Sequence, residues 1–177
     1  MEGPPPQPQF EAIVAEIEAM TREDQDMRTG LDRGGLWDET IDTRNTTRMK
    51  EIIAQVGWPT ISKVGIDASE NAWSLVQHAD HDVAFQEQCL ALMKRESTKD
   101  INPRNVATLG DRIRVNSGRP QIYGTQFDQI DGKHVPQPIE DEANVDERRS
   151  HMGLGTLAEG IQEMYEKYGP PTQDDSL

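Results

Sequence analysis

Apolar residues recur at helical spacing through most of the chain. Phe10, Ile13, Val14, Ile17 and Met20 mark one face of a first helix, which Asp24 and Met27 extend. Met49, Ile52, Ile53 and Val56 mark a second. Gly57-Trp58-Pro59 stops it, because proline disfavours helical geometry at the residue before it and brings no donor of its own. Ala72, Trp73, Val76 and Ala79 give a third helix, opening at "DASE", where Asp67 is expected to cap and Glu70 to reach back. Phe85, Cys89, Leu92 and Met93 give a fourth. "INPRN" opens a fifth, with Asn102 as cap and Pro103 in the first turn. Val106, Leu109 and Ile113 carry its face and Gly118 closes it. "NVDE" and "TLAE" are two further capping signatures. The second opens a helix expected to bury Leu157, Ile161, Met164, Tyr165 and Tyr168 before Gly169-Pro170-Pro171 ends it.

Two stretches break the period. "RTGLDRGGLWDETIDT" holds Gly30, Gly34 and Gly35 and reads as a loop, long enough for a functional lid or a mobile connection. "PQIYGTQF" and "KHVPQPI" flank Asp131-Gly132, a dipeptide favoured in type I′ turns, and predict a β-hairpin. On its first strand Gln121, Tyr123, Thr125 and Phe127 would share one face, with Ile122, Gly124 and Gln126 on the other. So many hydrogen-bonding side chains around a glycine suit either a ligand site or a polar hairpin edge. The pattern predicts a mainly α fold: a single-domain helical bundle of about six or seven helices with one short β-hairpin, over residues 10–169. A disordered Pro-rich start (1–9) and a flexible acidic tail (170–177) are expected to flank it.

Composition narrows the function classes. The 177 residues suffice for a core without disulfides or metals as staples. A net charge of −14 argues against nucleic acid, which needs clustered Lys and Arg, and against anionic membrane surfaces. Cys89 is alone and sits in an apolar helical pattern, which predicts a buried, inert thiol. No apolar run approaches the ~20 residues of a membrane span, and "MEGPPPQPQ" does not read as a signal peptide, so a cytoplasmic location is expected. Asn45-Thr46-Thr47 matches a glycosylation sequon, which has no meaning without secretion.

The stretch "LVQHADHD" concentrates candidate chemistry. His78 and His81 are three apart, and His78 and Asp82 four apart, so either pair suits one metal-binding helix face, with a third ligand from His134, His151 or a carboxylate. A helix break between them spoils that geometry, and no HExxH or CxxC pattern is present, so no metal and no other cofactor is expected. Acid–base chemistry fits better: His78 as acid or base, with Asp80 fixing its tautomer. A purely structural reading is also open, with Asp80 or Asp82 capping the next helix. In "PIEDEANVDERR", Arg148 and Arg149 suit an anionic group or pairing with Glu140, Asp141 and Asp146. Asp111 with Arg112, and Asp24 with Arg28, admit the same ion-pair reading. No GxSxG elbow appears.

The combination of "GWPT", "VQHAD", "NVATLGDRIRVNSGRPQIYGTQF" and "PIEDEANVDERRSHMGL", with "DQDMR" and "NTTRMKEII" before them, resembles the uncharacterised bacterial family DUF6624 over residues 10–168. The resemblance implies no particular activity. It implies that His78 and Asp80 lie on the family's QHAD motif, whereas His81 and Asp82 follow it. Asp111, Arg112, Gln121, Tyr123, Gly124, Thr125, Gln126, Asp141, Asp146, Arg148 and Arg149 match its other polar positions, as do Asp24, Arg28 and Asn45.

The resulting expectation is a small metal-independent acid–base enzyme of hydrolase, cyclase or isomerase type, acting on a small polar or anionic metabolite. His78, Asp80 and Tyr123 would be catalytic. Arg112, Gln121, Thr125, Gln126, Asp141, Arg148 and Arg149 would bind the substrate. The alternative is a non-catalytic ligand-binding or protein-interaction module in which the same residues form a structural network.

Overall fold

The apolar period that starts at Phe10 becomes helix α1 (Glu11–Leu31) in the computed structural model, which describes residues 5–31 and 34–170. Four more helices follow: α2 (Glu39–Val56), the single turn α3 (Ile61–Val64), α4 (Ile66–Gln77) and α5 (Val83–Met93). These belong to a compact unit that ends at Asn102. A second unit begins at Pro103 with α6 (Pro103–Asn116). It continues through strands β1 (Phe127–Ile130) and β2 (Lys133–Pro136) to α7 (Val145–His151) and α8 (Leu157–Tyr168). The protein is therefore mainly α with one short antiparallel hairpin, as the periodicity predicts.

In the first unit α1, α2 and α4 pack pairwise. Ile17, Met49, Ile52, Ala72, Val76 and Cys89 meet in a core closed to solvent. Capping explains the helix limits. Asp38 accepts from Thr40 N at 2.9 Å and starts α2; Gly57, at φ 71°, ends it. Asp82 accepts from Phe85 N at 3.0 Å and starts α5. The expected box at "DASE" does not form: α4 starts one residue before Asp67, at Ile66, and Glu70 accepts from the Asn102 amide instead. The start of the Pro-rich stretch, residues 1–4, lies outside the described residues. Beyond it Gln7 N donates to Lys63 O at 2.9 Å, and Pro8–Phe10 forms a 3₁₀ turn.

The larger difference is α2. The hydrophobic period places its start near Met49, yet the helix begins at Glu39. Its first turns bury Ile41, Asn45 and Thr46, so most of the inward face there is polar and leaves no apolar signature.

The second unit is organised around its hairpin. Ile130 pairs with Lys133, leaving Asp131 and Gly132 as a two-residue turn with φ 50° and 70°, the left-handed pair a type I′ turn requires. Helix α8 opens with the predicted capping box: Thr156 Oγ1 accepts from Glu159 N, and the Glu159 carboxylate accepts from Thr156 N. It packs on β2, where the His134 ring meets Tyr165 edge-on at 4.9 Å and Nε2 bonds Gly169 O at 2.8 Å. Tyr168, expected inside, is 59% exposed at the last turn. The acidic tail beyond Pro170 lies outside the described residues.

Candidate functional site

His78 is the C-cap of α4, where the helix stops and its ring is free to turn toward α1. Its Nδ1 lies 3.2 Å from Oδ1 and 3.0 Å from Oδ2 of Asp24, a carboxylate 1% exposed in the middle of α1. Asp24 also accepts from Arg28 Nε at 3.1 Å, one turn along, and from Gln25 Nε2 at 3.0 Å. Arg28 Nη2 in turn donates to Asp42 of α2 at 2.8 Å, and its guanidinium lies 4.9 Å from the Trp37 ring. Three helices thus contribute to one chain of charge-assisted contacts: His78, Asp24, Arg28, Asp42.

The electrostatics follow from this geometry. Burial pushes the Asp24 carboxyl up, but the bonds from His78 and Arg28 outweigh it and hold the group below its usual value. Burial wins at Asp42, with Arg28 opposing, so that carboxyl lies above the usual range. An ionised Asp24 accepts only, so the His78 nitrogen facing it, Nδ1, carries the proton. Nε2 has no hydrogen-bond partner among the described residues, and the side chain is 14% exposed. A tautomer fixed on one nitrogen with the other available is the arrangement that proton transfer needs.

Asp80, expected to orient His78, accepts at Oδ1 from Gln86 Nε2 at 3.2 Å, and the carboxylate against His78 Nδ1 is that of Asp24. Gln86 is fully buried and also donates to the carbonyls of Val76 and Gln77, tying down the backbone just before His78. His81 is exposed and Asp82 caps α5 and meets Lys50 Nζ at 2.5 Å. Among the described residues no group of three His, Cys, Asp or Glu side chains is arranged to hold a metal ion. Burial pushes the Cys89 thiol up to about 12, which makes it inert.

The remaining candidates belong to the second unit, where most are engaged with their own backbone. Asp111 is fully buried on α6 and accepts from Ile122 N (2.7 Å), Tyr123 N (3.1 Å), Thr125 N (3.1 Å) and Thr125 Oγ1 (3.0 Å). Burial raises its carboxyl above the usual range against the pull of those four donors. The stretch expected as the first half of a strand is therefore a loop. Gln121 makes one bridge to Ile139, then the amides of 122, 123 and 125 turn to one carboxylate, whereas extended backbone would point successive amides apart. Gly124, at φ 67°, makes the turn; a Cβ there would lie 2.8 Å from Ile139 Cδ1 and from Leu157 Cδ1.

Gln121 closes the same loop from inside, donating to the carbonyls of Gln126 and Gln137 and accepting from Gln126 N. Gln126 Nε2 donates to Thr125 Oγ1. Arg149, 3% exposed, donates to the carbonyls of Tyr123, Gly124 and Gly155. Arg148 donates to those of Ile122, Glu140 and Asp141 and lies 3.5 Å from the Asp141 carboxylate. The two arginines are loop staples in this arrangement, not open anion clamps. Arg112 is half-buried beside Asp111 on α6, and the Tyr123 phenol is shifted up by burial and by the Asp111 charge.

Sequence reasoning paired Asp24 only with Arg28 and did not see Asp42. Asp24 and His78 are 54 residues apart, a separation no local spacing rule bridges. A trace was present: an acidic residue within an otherwise apolar helical face, at the position that extends the Ile17–Met20 stripe.

A model of a protein family described as "Family of unknown function (DUF6624)" matches residues 11–172, so the chain belongs to that family. No curated protein and no solved structure matches it.

Proposed function

We propose that this member of a family of unknown function is a small acid–base enzyme whose proton-transfer group is His78, with Asp24 as its orienting carboxylate. The observation that carries the reading is the 3.0 Å contact between His78 Nδ1 and a carboxylate that is 1% exposed, with Nε2 left to face a reactant. Arg28 and Asp42 are positioning residues: the guanidinium holds both carboxylates and keeps Asp24 ionised. Proton abstraction or donation at Nε2 serves hydrolysis, cyclisation or isomerisation alike, and a small polar metabolite of the cytoplasm is the substrate class proposed. No helix among the described residues is long and apolar enough to cross a membrane.

The second unit favours a different role for its motifs. Asp111, Gln121, Arg148 and Arg149 saturate one another's loop backbone, which supports a structural network there, not a binding surface. The test incubates full-length protein with a metabolite extract and follows the small molecules by untargeted mass spectrometry. Wild type is expected to deplete at least one compound that His78→Gln and Asp24→Asn, both checked for folding by circular dichroism, leave untouched. Equal depletion by wild type and folded His78→Gln would overturn the proposal.

A further inference from the structure

A groove in the first unit offers space for a small molecule. It is open to solvent, about 320 Å³ in volume, and lies between α1 and α4. Sites for small molecules start at roughly 300 Å³. Its charged wall is a ladder on α1, where Glu18, Arg22 and Asp26 stand four residues apart, about one helical turn each. An acid four residues before a base is the favoured order for pairing along a helix. Yet among the described residues no ion pair or hydrogen bond engages any of these three side chains. The other arginines of α1 and α2 behave differently: Arg28, Arg44 and Arg48 each hold a carboxylate.

The rest of the lining is polar and uncharged. Across the groove α4 contributes Asn71, whose amide has no hydrogen-bond partner among the described residues. On α1, Thr21 Oγ1 donates to Ile17 O at 2.9 Å and Gln25 Nε2 donates to Asp24 Oδ2 at 3.0 Å. The oxygen of each side chain accepts from no described residue, so both keep acceptor capacity. Arg22, Gln25 and Asp26 are exposed, and Glu18, Thr21 and Asn71 are half-buried, so a ligand from solvent can reach each of them. Gln25 also brings the groove within one contact of Asp24, the carboxylate that receives His78.

We propose that this groove binds a small zwitterion, a molecule that carries both a carboxylate and an ammonium group, as amino acids do. The wall chemistry selects that class. A simple anion would reach Arg22 only between two carboxylates, and a simple cation would meet Arg22 itself. A zwitterion satisfies both signs at once, with its carboxylate on the guanidinium fork and its ammonium group on Glu18 or Asp26. The Asn71 amide and the Gln25 oxygen are left to bond the polar remainder. No aliphatic or aromatic residue lines the groove, so its apolar surface is the methylene stems of the polar side chains, enough for a short spacer between the two charges. A metal ion is poorly matched, since the groove holds two carboxylates and no group of three ligands is found among the described residues. The site stands on the groove alone and does not require the acid–base reading of His78.

The experiment titrates full-length ¹⁵N-labelled protein with L-alanine, β-alanine and γ-aminobutyrate, zwitterions of increasing charge separation. Propionate and propylamine, with one charge each, are the controls. At least one zwitterion is expected to bind saturably, with amide shifts concentrated at residues 18–26 and at Asn71, and about tenfold or more tighter than either control. Arg22→Gln should weaken that binding about tenfold, through loss of a charge-assisted contact. Arg22→Lys, which keeps the charge without the fork, should weaken it less. Asn71→Ala should weaken it about threefold, the effect of one neutral hydrogen bond. Arg22 is exposed and unpaired, so Arg22→Gln should melt with the wild type. No saturable binding of any of the three zwitterions overturns the proposal. So does equal affinity for propionate or propylamine, or an affinity unchanged in folded Arg22→Gln. Binding is read without turnover, so a failure here leaves the depletion test of His78 standing, and a failure of that test leaves the groove.

Discussion

Asp111→Ala should be among the most damaging single substitutions in the second unit. The carboxylate is fully buried and receives three backbone amides and one hydroxyl within 3.1 Å. Hydrogen bonds to a charged group are worth about 1.5–3 kcal/mol each. Their simple sum overstates the loss, because burying the charge opposes them, as the raised carboxyl pKa indicates, and because Ile122, Tyr123 and Thr125 are only half-buried and can recruit water. A net loss of about 3–5 kcal/mol is expected, a large part of the ~5–15 kcal/mol that holds a typical domain together. Asp111→Asn should lose nearly as much: one oxygen survives, but its amide nitrogen then faces the Tyr123 and Thr125 donors. Urea unfolding followed by circular dichroism, with hydrogen exchange at residues 122, 123 and 125, gives the readout. The urea midpoint should drop and those three loop amides should lose protection before the amides of α6 do. A change below about 1 kcal/mol in Asp111→Ala, with the three amides still protected, would refute the loop-clamp reasoning.

Other substitutions have simpler outcomes. Gly124→Ala adds a Cβ at φ 67° against two methyl groups 2.8 Å away, and should cost about 2–3 kcal/mol by thermal melting. Thr156→Ala removes one side of the α8 capping box and should cost about 1 kcal/mol, read the same way. Asp24 has a folded pKa below its unperturbed value of 3.8. Its contribution is thus complete above that value and lost as pH falls through the lower, folded one. Wild type should accordingly lose stability in that acid window. Asp24→Asn, less stable at neutral pH by about 3 kcal/mol, should lack this component; a parallel pH profile for the two proteins would contradict the pairing. Cys89 should react with a thiol reagent only as fast as the protein opens, and at the ordinary rate in denaturant.

Helices whose inward faces are apolar were legible in the sequence, and so was the hairpin, because Asp131-Gly132 admits few other conformations. Legibility failed where buried faces are polar. The first turns of α2 bury Asn45 and Thr46, and hydrophobic periodicity is blind to a helix that keeps its polar residues inside. The "YGTQ" stretch alternates like a strand, yet a carboxylate on α6 gathers its amides into a loop, a constraint set by Asp111 and not by local propensity. His78 stood out by its chemistry; its partner did not. The adjacent Asp80 was the natural choice along the chain, while the fold brings Asp24 from 54 residues away. In the last two cases the missing information was a contact made by a charged group across elements.

The most direct measurement is the ¹⁵N NMR spectrum of the His78 imidazole at alkaline pH, in wild type and in Asp24→Asn. If Asp24 orients the ring, wild type shows the proton on Nδ1 and a bare Nε2, and Asp24→Asn shifts the population toward the other tautomer. A proton on Nε2 in wild type, or spectra that do not change when Asp24 is replaced, would contradict the assignment of His78 and Asp24 as a proton-transfer pair.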